Sequence, residues 1–195
     1  MKTRRSERQL NNKGFSLMEL IVTVAIMIVL VSIATVTVFM LDSSYVEDAE
    51  RGIKDYISLT RTKSMSVSAK DWYMSISKEG NDYYASIYKV VEEKVEGAGD
   101  GSTSSTSKLL EKKKLGAKIS ITYRGEKSEK ANVVDGDATL ELHFDSSTGK
   151  INQVIYKGLP QTDDVTSGIG YIGIQRNDYK IDLKVFYNTG KCERE

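Results

Sequence analysis

The chain has very few of the residue types from which catalytic and metal centres are usually built. Its 195 residues include one cysteine, one histidine and one proline. The single cysteine, Cys192, excludes a disulfide within the chain and leaves either an inert exposed thiol or a bridge to another molecule. The chain has no second histidine and no usable cysteine to act with His143, so it lacks the set of side chains that an acid–base or metal centre needs. We predict a non-enzyme with no catalytic residue, no metal and no cofactor.

The chain also lacks an excess of charge of one sign. It has 28 basic and 27 acidic residues, which gives a net charge of +1. A nearly neutral chain has no electrostatic footprint for nucleic acid, so we predict no direct nucleic-acid partner. Low net charge also suits a subunit that packs beside copies of itself, because strong like charge would oppose that packing.

One long hydrophobic run lies close to the N-terminus. From Leu20 to Leu41, over 22 residues, no side chain is ionisable. A helix of that length spans ~33 Å, compared with ~30 Å for the hydrocarbon core of a bilayer. Residues 1–14 carry five basic side chains and one acidic one, a net charge of +4 (5 − 1), and basic flanks stay on the cytoplasmic side. We predict a single pass through the cytoplasmic membrane with the N-terminus inside.

Two conventional interpretations explain this run only in part. A secretory signal has an apolar stretch of about 7–15 residues followed by a small-x-small cleavage site, whereas this run is longer and Phe39–Asp42 offers no such site. A plain membrane anchor accounts for the length and the flanking charge but leaves Glu19 without a purpose. A carboxylate within an apolar helix is usually functional, so Glu19 is a candidate site residue.

Residues 14–20, GFSLMEL, follow the short basic leader and precede the apolar helix. They resemble the processing motif of type IV prepilins and pseudopilins. The resemblance implies that a prepilin peptidase cuts between Gly14 and Phe15 on the cytoplasmic side and methylates the new N-terminus at Phe15. It also implies that Glu19 pairs with the N-terminal amine of a neighbouring subunit and sets the axial register. Many members carry a proline within the apolar helix, but the one proline here is Pro160, so no kink is expected.

The resemblance implies a structural subunit of a pilus-like or pseudopilus filament, polymerised through its N-terminal helix. Its expected partners are the prepilin peptidase, other pilin or pseudopilin subunits, the assembly platform and the membrane. After processing it is expected in an extracellular or cell-envelope filament. A major pilin, a minor pilin and a pseudopilin all remain open, as does a membrane-anchored extracellular binding domain that does not polymerise.

The expected fold is α+β, with a long N-terminal helix packed on an antiparallel β-sheet. We predict a leader at 1–14, a membrane-spanning half-helix at 15–41, an amphipathic half-helix at 42–70 and an extracellular β-rich domain at 71–195 with a flexible loop at 97–107. One helix over about 15–68 is favoured over a stop and restart at 42–44. Its second half carries a helical stripe at three- and four-residue spacing: Val46, Ala49, Ile53, Ile57, Thr60, Ser64 and Val67.

From Asp71 onward the hydrophobic period becomes two, and short turns separate the alternating segments. This pattern predicts antiparallel hairpins with one wet face. The segments are 72–77, 83–91, 119–123, 140–145, 151–156, 171–175 and 179–187. Residues 108–114, KLLEKKK, are considered as a short basic helix on a solvated surface. The succession of hairpins and the F-x-x-x-x-G-K turn at 144–150 resemble H-type minor pseudopilins.

Two further patterns are weighed against ordinary structural roles. Gly168–Gly173 matches G-x-G-x-x-G, but a dinucleotide site needs this motif between a strand and a helix, and here it runs into an alternating strand. Asp135-Gly136-Asp137 and Asp163-Asp164 offer oxygen ligands for calcium. Turn chemistry explains these aspartates equally well, so calcium binding stays open.

Overall fold

The structure, a computed structural model, describes residues 16–66, 71–94, 103–128 and 130–195. The chain divides into two compact units, with the boundary between Met40 and Leu41. Helix α1 is assigned over Leu17–Ser66, and the described residues after it form eleven strands and a second helix: β1 (Trp72–Glu79), β2 (Asp82–Lys94), β3 (Thr103–Ala117), β4 (Ser120–Gly125), β5 (Asn132–Val133), β6 (Leu140–Phe144), β7 (Ile151–Tyr156), β8 (Leu159–Pro160), α2 (Thr162–Ser167), β9 (Ile169–Arg176), β10 (Tyr179–Phe186) and β11 (Lys191–Arg194).

Helix α1 confirms the prediction of one long N-terminal helix. The alternative, a stop and restart at 42–44, is wrong. Asp42 does not cap a new helix, because its carboxylate accepts hydrogen bonds from Arg176 at the end of β9 and from Asn177 in the turn that follows. The backbone therefore continues as helix through this position.

The strands form two sheets where the sequence analysis expects one. Sheet A has the strand order β3-β2-β1-β6-β7-β8, and sheet B has the order β11-β10-β9-β4-β5. Every pairing is antiparallel. The chain passes from β3 in sheet A to β4 in sheet B through Lys118, whose backbone is left-handed with φ of 57°. The class is α+β, as predicted.

One hydrophobic core joins the second half of α1 to both sheets. The described part of the predicted stripe, from Val46 to Ser64, is buried, and Val67 lies outside the described residues. Helix α1 approaches β3 closely at Gly52, where an added Cβ would lie 2.8 Å from Cδ2 of Leu115. At ~1.5–3 kcal/mol per large apolar side chain, this burial fixes the helix to the sheets. Core residues alternate along most of the strands, as predicted: Ile121, Tyr123, Leu140, Leu142, Phe144, Leu183 and Val185. In β1, however, Tyr73 and Ser75 are buried as well as Trp72, Met74 and Ile76, so the prediction of one wet face is wrong for this strand.

Two expectations for the middle of the chain are corrected by β3. The expected flexible loop at 97–107 lies outside the described residues up to position 102, and β3 begins at Thr103. The short helix considered at 108–114 is wrong, because these residues lie within β3. Pairing with β2 decides the conformation, and Lys112 and Lys114 form ion pairs with Glu79 at 2.6 Å and with Asp82 at 2.5 Å. Tertiary contacts of this kind override local helix propensity.

Candidate functional site on helix α1

The first turn of α1 holds the candidate site residue Glu19. The turn begins after Ser16, whose Oγ accepts from the Met18 N–H at 3.3 Å and whose carbonyl accepts from the Leu20 N–H at 3.1 Å. Glu19 is exposed in this turn, where the helix dipole favours a carboxylate. The other two predicted site residues, Gly14 and Phe15, lie outside the described residues.

After Glu19 in the sequence, α1 carries apolar side chains that are exposed. Met27, Leu30 and Val31 are each more than 60% exposed. The helix is long and apolar enough to cross a membrane, and none of its most apolar 18-residue window is buried within the chain. Leaving each large side chain in water costs ~1.5–3 kcal/mol. The segment therefore needs lipid or another apolar surface around it.

The polar side chains in this segment satisfy their hydrogen bonds within the helix. The hydroxyls of Thr23, Ser32, Thr35 and Thr37 each donate to a backbone carbonyl three or four residues earlier, at 2.8–3.0 Å. An unpaired hydroxyl in an apolar environment would carry a cost of several kcal/mol. These four residues avoid that cost and still provide small positions where helices can approach closely.

Directly after the apolar run, an ion-pair cluster ties α1 to sheet B. Asp42 is buried, and it accepts hydrogen bonds from Nε of Arg176 and from Nδ2 of Asn177, both at 2.7 Å. The Arg176 guanidinium also donates to the Ala117 carbonyl at 3.3 Å and lies 4.0 Å from the centroid of the Tyr45 ring. We call these five residues the Asp42 clamp. The sequence analysis missed it, although an acid immediately after the apolar run was a usable signal.

The residues considered for cofactor binding have structural roles. Gly168 follows α2 with φ of 84°, and the rest of the G-x-G-x-x-G pattern lies in β9, as expected. At Gly170 an added Cβ would lie 1.8 Å from the Tyr187 hydroxyl, so the glycine makes room for that ring. The Tyr187 hydroxyl shares a hydrogen bond of 2.9 Å with the buried hydroxyl of Tyr123, and Tyr123 donates to Asp164 at 2.8 Å. Burial holds the pKa of Tyr123 far above its usual range.

Some of the residues considered as metal ligands contact other protein groups instead. His143 lies 3.2 Å from Glu141 and stacks on the Tyr73 ring at 4.5 Å between centroids. Asp135 pairs with Lys78 at 2.7 Å, while Asp137 and Asp163 are exposed. Among the residues that the structure describes, no three His, Cys, Asp or Glu side chains are grouped to hold a metal.

Cys192 is half-buried rather than exposed, which corrects one expectation. It packs against the core from β11. Burial raises the pKa of its thiol to about 11, so at neutral pH the sulfur is protonated. Because the thiolate is the reactive form, this position disfavours the bridge to another molecule that the sequence left open.

Comparison with known proteins bears on the N-terminus. Residues 9–35 match the family described as the prokaryotic N-terminal methylation motif. The chain carries this motif. The match confirms the resemblance to the type IV pilin and pseudopilin family, whose members are structural proteins, and implies a membrane-anchored precursor that a prepilin peptidase processes. The match does not identify the chain as an H-type minor pseudopilin. No curated protein and no solved structure matches the chain.

Proposed function

We propose that the chain is a structural subunit of a type IV pilus-like or pseudopilus filament. The observation that carries this proposal is the exposed apolar part of α1, most of which lies within the matched methylation motif at residues 9–35. The apolar side chains of this segment are not buried within the chain. The segment is therefore suited first to a bilayer and then to a bundle of identical helices. The second unit, which includes both sheets, is displayed outside the membrane and has no catalytic role.

Processing supplies the polar partner that the bundle requires. Cleavage between Gly14 and Phe15 releases an α-ammonium group on Phe15, which the peptidase methylates. Glu19 lies four residues further along, and residues at this spacing share one helix face. In the filament it pairs with the amine of a neighbouring subunit. An ionised group without a partner in an apolar bundle would cost several kcal/mol, so the pair selects one axial register.

The orientation follows from the charge of the leader. Five basic side chains and one acidic side chain in residues 1–14 hold the N-terminus on the cytoplasmic side, where the peptidase cuts. The subunit then joins the filament through the assembly platform. Repetition of one head-to-tail contact that does not close produces a helical polymer.

The mature N-terminus tests the proposal. We expect mass spectrometry of the chain from cells with a prepilin peptidase to find N-methyl-Phe15 as the first residue. Without the peptidase, or with Gly14→Val, residues 1–14 should remain attached. An uncleaved chain, or an N-terminus downstream of Leu41, contradicts the processing. A processed chain that never enters sheared filaments favours the alternative, a membrane-anchored binding domain that does not polymerise.

A further inference from the structure

The second unit contains a pocket between the second half of α1 and strand β11. Its volume is about 400 Å³, which lies within the range of small-molecule sites in proteins. Basic, hydroxyl and apolar side chains meet in it. We call it the Arg61 pocket and define it by six of its lining residues: Lys54, Ile57, Ser58, Arg61, Lys191 and Cys192.

Two glycine turns hold the side chain of Arg61 in place. Gly149, in the turn between β6 and β7, has φ of 66°, and Gly190, in the turn between β10 and β11, has φ of 61°. A Cβ added at Gly149 would lie 3.1 Å from Nε of Arg61, and one added at Gly190 would lie 3.0 Å from its Cδ. The bare backbone of both turns therefore packs against this side chain and limits where the guanidinium can lie.

The guanidinium of Arg61 has no acceptor among the residues that the structure describes. Its Nε is buried and makes no hydrogen bond, and no described carboxylate forms an ion pair with it. The other basic residues of α1 each lie beside a carboxylate: Arg51, Lys54 and Lys63. Buried polar groups normally have partners, and a guanidinium has five N–H donors. Arg61 is therefore the basic residue of α1 that is left to bind an acceptor from outside the subunit.

The other walls of the Arg61 pocket indicate which ligands fit beside the guanidinium. Ile57 and Cys192 form an apolar side, since burial raises the pKa of the Cys192 thiol to about 11 and keeps it uncharged at neutral pH. The Ser58 hydroxyl can donate or accept a hydrogen bond. Lys191 is exposed and adds a second positive charge. Cations beside an apolar wall suit an acid that carries a short apolar group.

The charges around the Arg61 pocket favour a ligand with a single negative charge. Two acids, Asp55 and Glu193, also line the pocket and would lie near any bound anion. Lys54 is already paired with Glu50 at 2.6 Å, so it contributes little further positive charge. A dianion such as inorganic phosphate is therefore disfavoured. A carboxylate has one charge, and its two oxygens match the fork of the Arg61 guanidinium.

We propose that the Arg61 pocket binds a small carboxylate, with the guanidinium of Arg61 on its oxygens and its apolar group against Ile57 and Cys192. The carboxylate can belong to a free organic acid or to the C-terminus of a peptide, because both present the same planar pair of oxygens. This inference does not rest on the proposed function, since every residue that carries it lies in the second unit. It gives that unit a ligand-binding role.

Saturation-transfer difference NMR on the full chain in detergent tests the site. Butyrate supplies a carboxylate with a short apolar group, butyramide is its neutral counterpart, and acetyl-alanyl-valine supplies a peptide C-terminus. We expect a saturable butyrate signal that butyramide and detergent alone do not give. Tighter binding of the peptide than of butyrate assigns the carboxylate to a peptide terminus. Equal or weaker binding of the peptide assigns it to a free organic acid.

Three variants locate the binding. Arg61→Gln removes the charge and the fork and should weaken butyrate binding ~10-fold or more, because hydrogen bonds to charged groups are the strong ones. Lys191→Gln changes an exposed residue and should weaken it ~3-fold, the effect of a solvated point charge. Lys108→Gln is the matched control, since this exposed lysine of β3 does not line the pocket; its affinity should equal that of wild type.

The urea midpoint of each variant shows whether it folds, and if Arg61→Gln does not fold, Lys191→Gln decides the test. The inference is overturned if neither butyrate nor the peptide gives saturable binding, or if the folded pocket variants bind as tightly as wild type. Displacement of butyrate by an equal concentration of inorganic phosphate also overturns it, because the pocket then selects charge and not a carboxylate. Processing and filament incorporation are measured separately, so failure here leaves the proposed function standing.

Discussion

Removal of the Asp42 carboxylate is the most informative perturbation of the second unit. The side chain of Asp42 is 10% exposed and that of Arg176 is 18% exposed, and the two are joined at 2.7 Å. Asp42→Ala leaves the largely shielded guanidinium of Arg176 with no carboxylate beside it. Breaking a buried pair in this way costs about 3–5 kcal/mol. The Arg176 guanidinium keeps its contacts with the Tyr45 ring and the Ala117 carbonyl. The expected loss of unfolding free energy is therefore about 3 kcal/mol, the lower end of that range.

Urea unfolding of the full chain in detergent, followed by pulsed proteolysis, measures this loss. Asp55→Asn is the matched control, because that acid is 71% exposed and lies 3.8 Å from Lys113; its removal should cost ~0–1 kcal/mol. Combining Asp42→Ala with Arg176→Ala should cost less than the sum of the two single changes, since the double variant leaves no buried unpaired charge. Strict additivity, or a loss for Asp42→Ala no larger than for Asp55→Asn, refutes the clamp.

Three further outcomes are expected. Glu19→Ala should give a processed, membrane-held chain that is depleted from sheared filaments, whereas normal incorporation would count against its pairing with the amine. The pKa of Asp145 is lowered to about 2 by hydrogen bonds from Ser147 and Thr148. The carboxylate of Asp145 therefore stabilises the fold above pH 3.8, its ordinary pKa, and this stabilisation is lost as the pH falls towards 2. The difference in urea midpoint between wild type and Asp145→Asn should shrink over that range. A difference that stays constant would contradict this assignment. Cys192 should resist iodoacetamide at pH 7.5 until the chain is unfolded in urea, and rapid labelling of the folded protein would disprove its burial.

Local patterns predicted the elements because each pattern has one physical cause. An apolar run without ionisable side chains has to be helical in a bilayer, and the run from Leu20 to Leu41 lies within helix α1. The stripe from Val46 to Ser64 recurs every three or four residues because only one face of the helix meets the sheets. The limits of β7, Ile151–Tyr156, agree with the prediction, since turns with glycine in the left-handed region bracket that segment at Gly149 and Gly158.

Arrangements that depend on distant residues could not be predicted. Asp42 and Arg176 are 134 positions apart, and the sequence does not reveal which base meets that acid. Alternation indicates that a strand has a buried face but not which sheet it joins, so the division into sheets A and B was missed. The candidate site could be predicted from the sequence because its residues form one contiguous motif.

A carboxylate stands at each end of the apolar run, and the two have different partners. Asp42 is satisfied within the chain by Arg176 and Asn177. Glu19 makes no ion pair with any residue that the structure describes. A carboxylate that enters an apolar bundle must be paired or neutralised, and in the proposed mechanism the amine that pairs with it exists only after cleavage before Phe15. Processing would then control assembly directly: a precursor keeps Glu19 near the membrane surface, where water screens it, and only the mature chain can bring that charge into a filament.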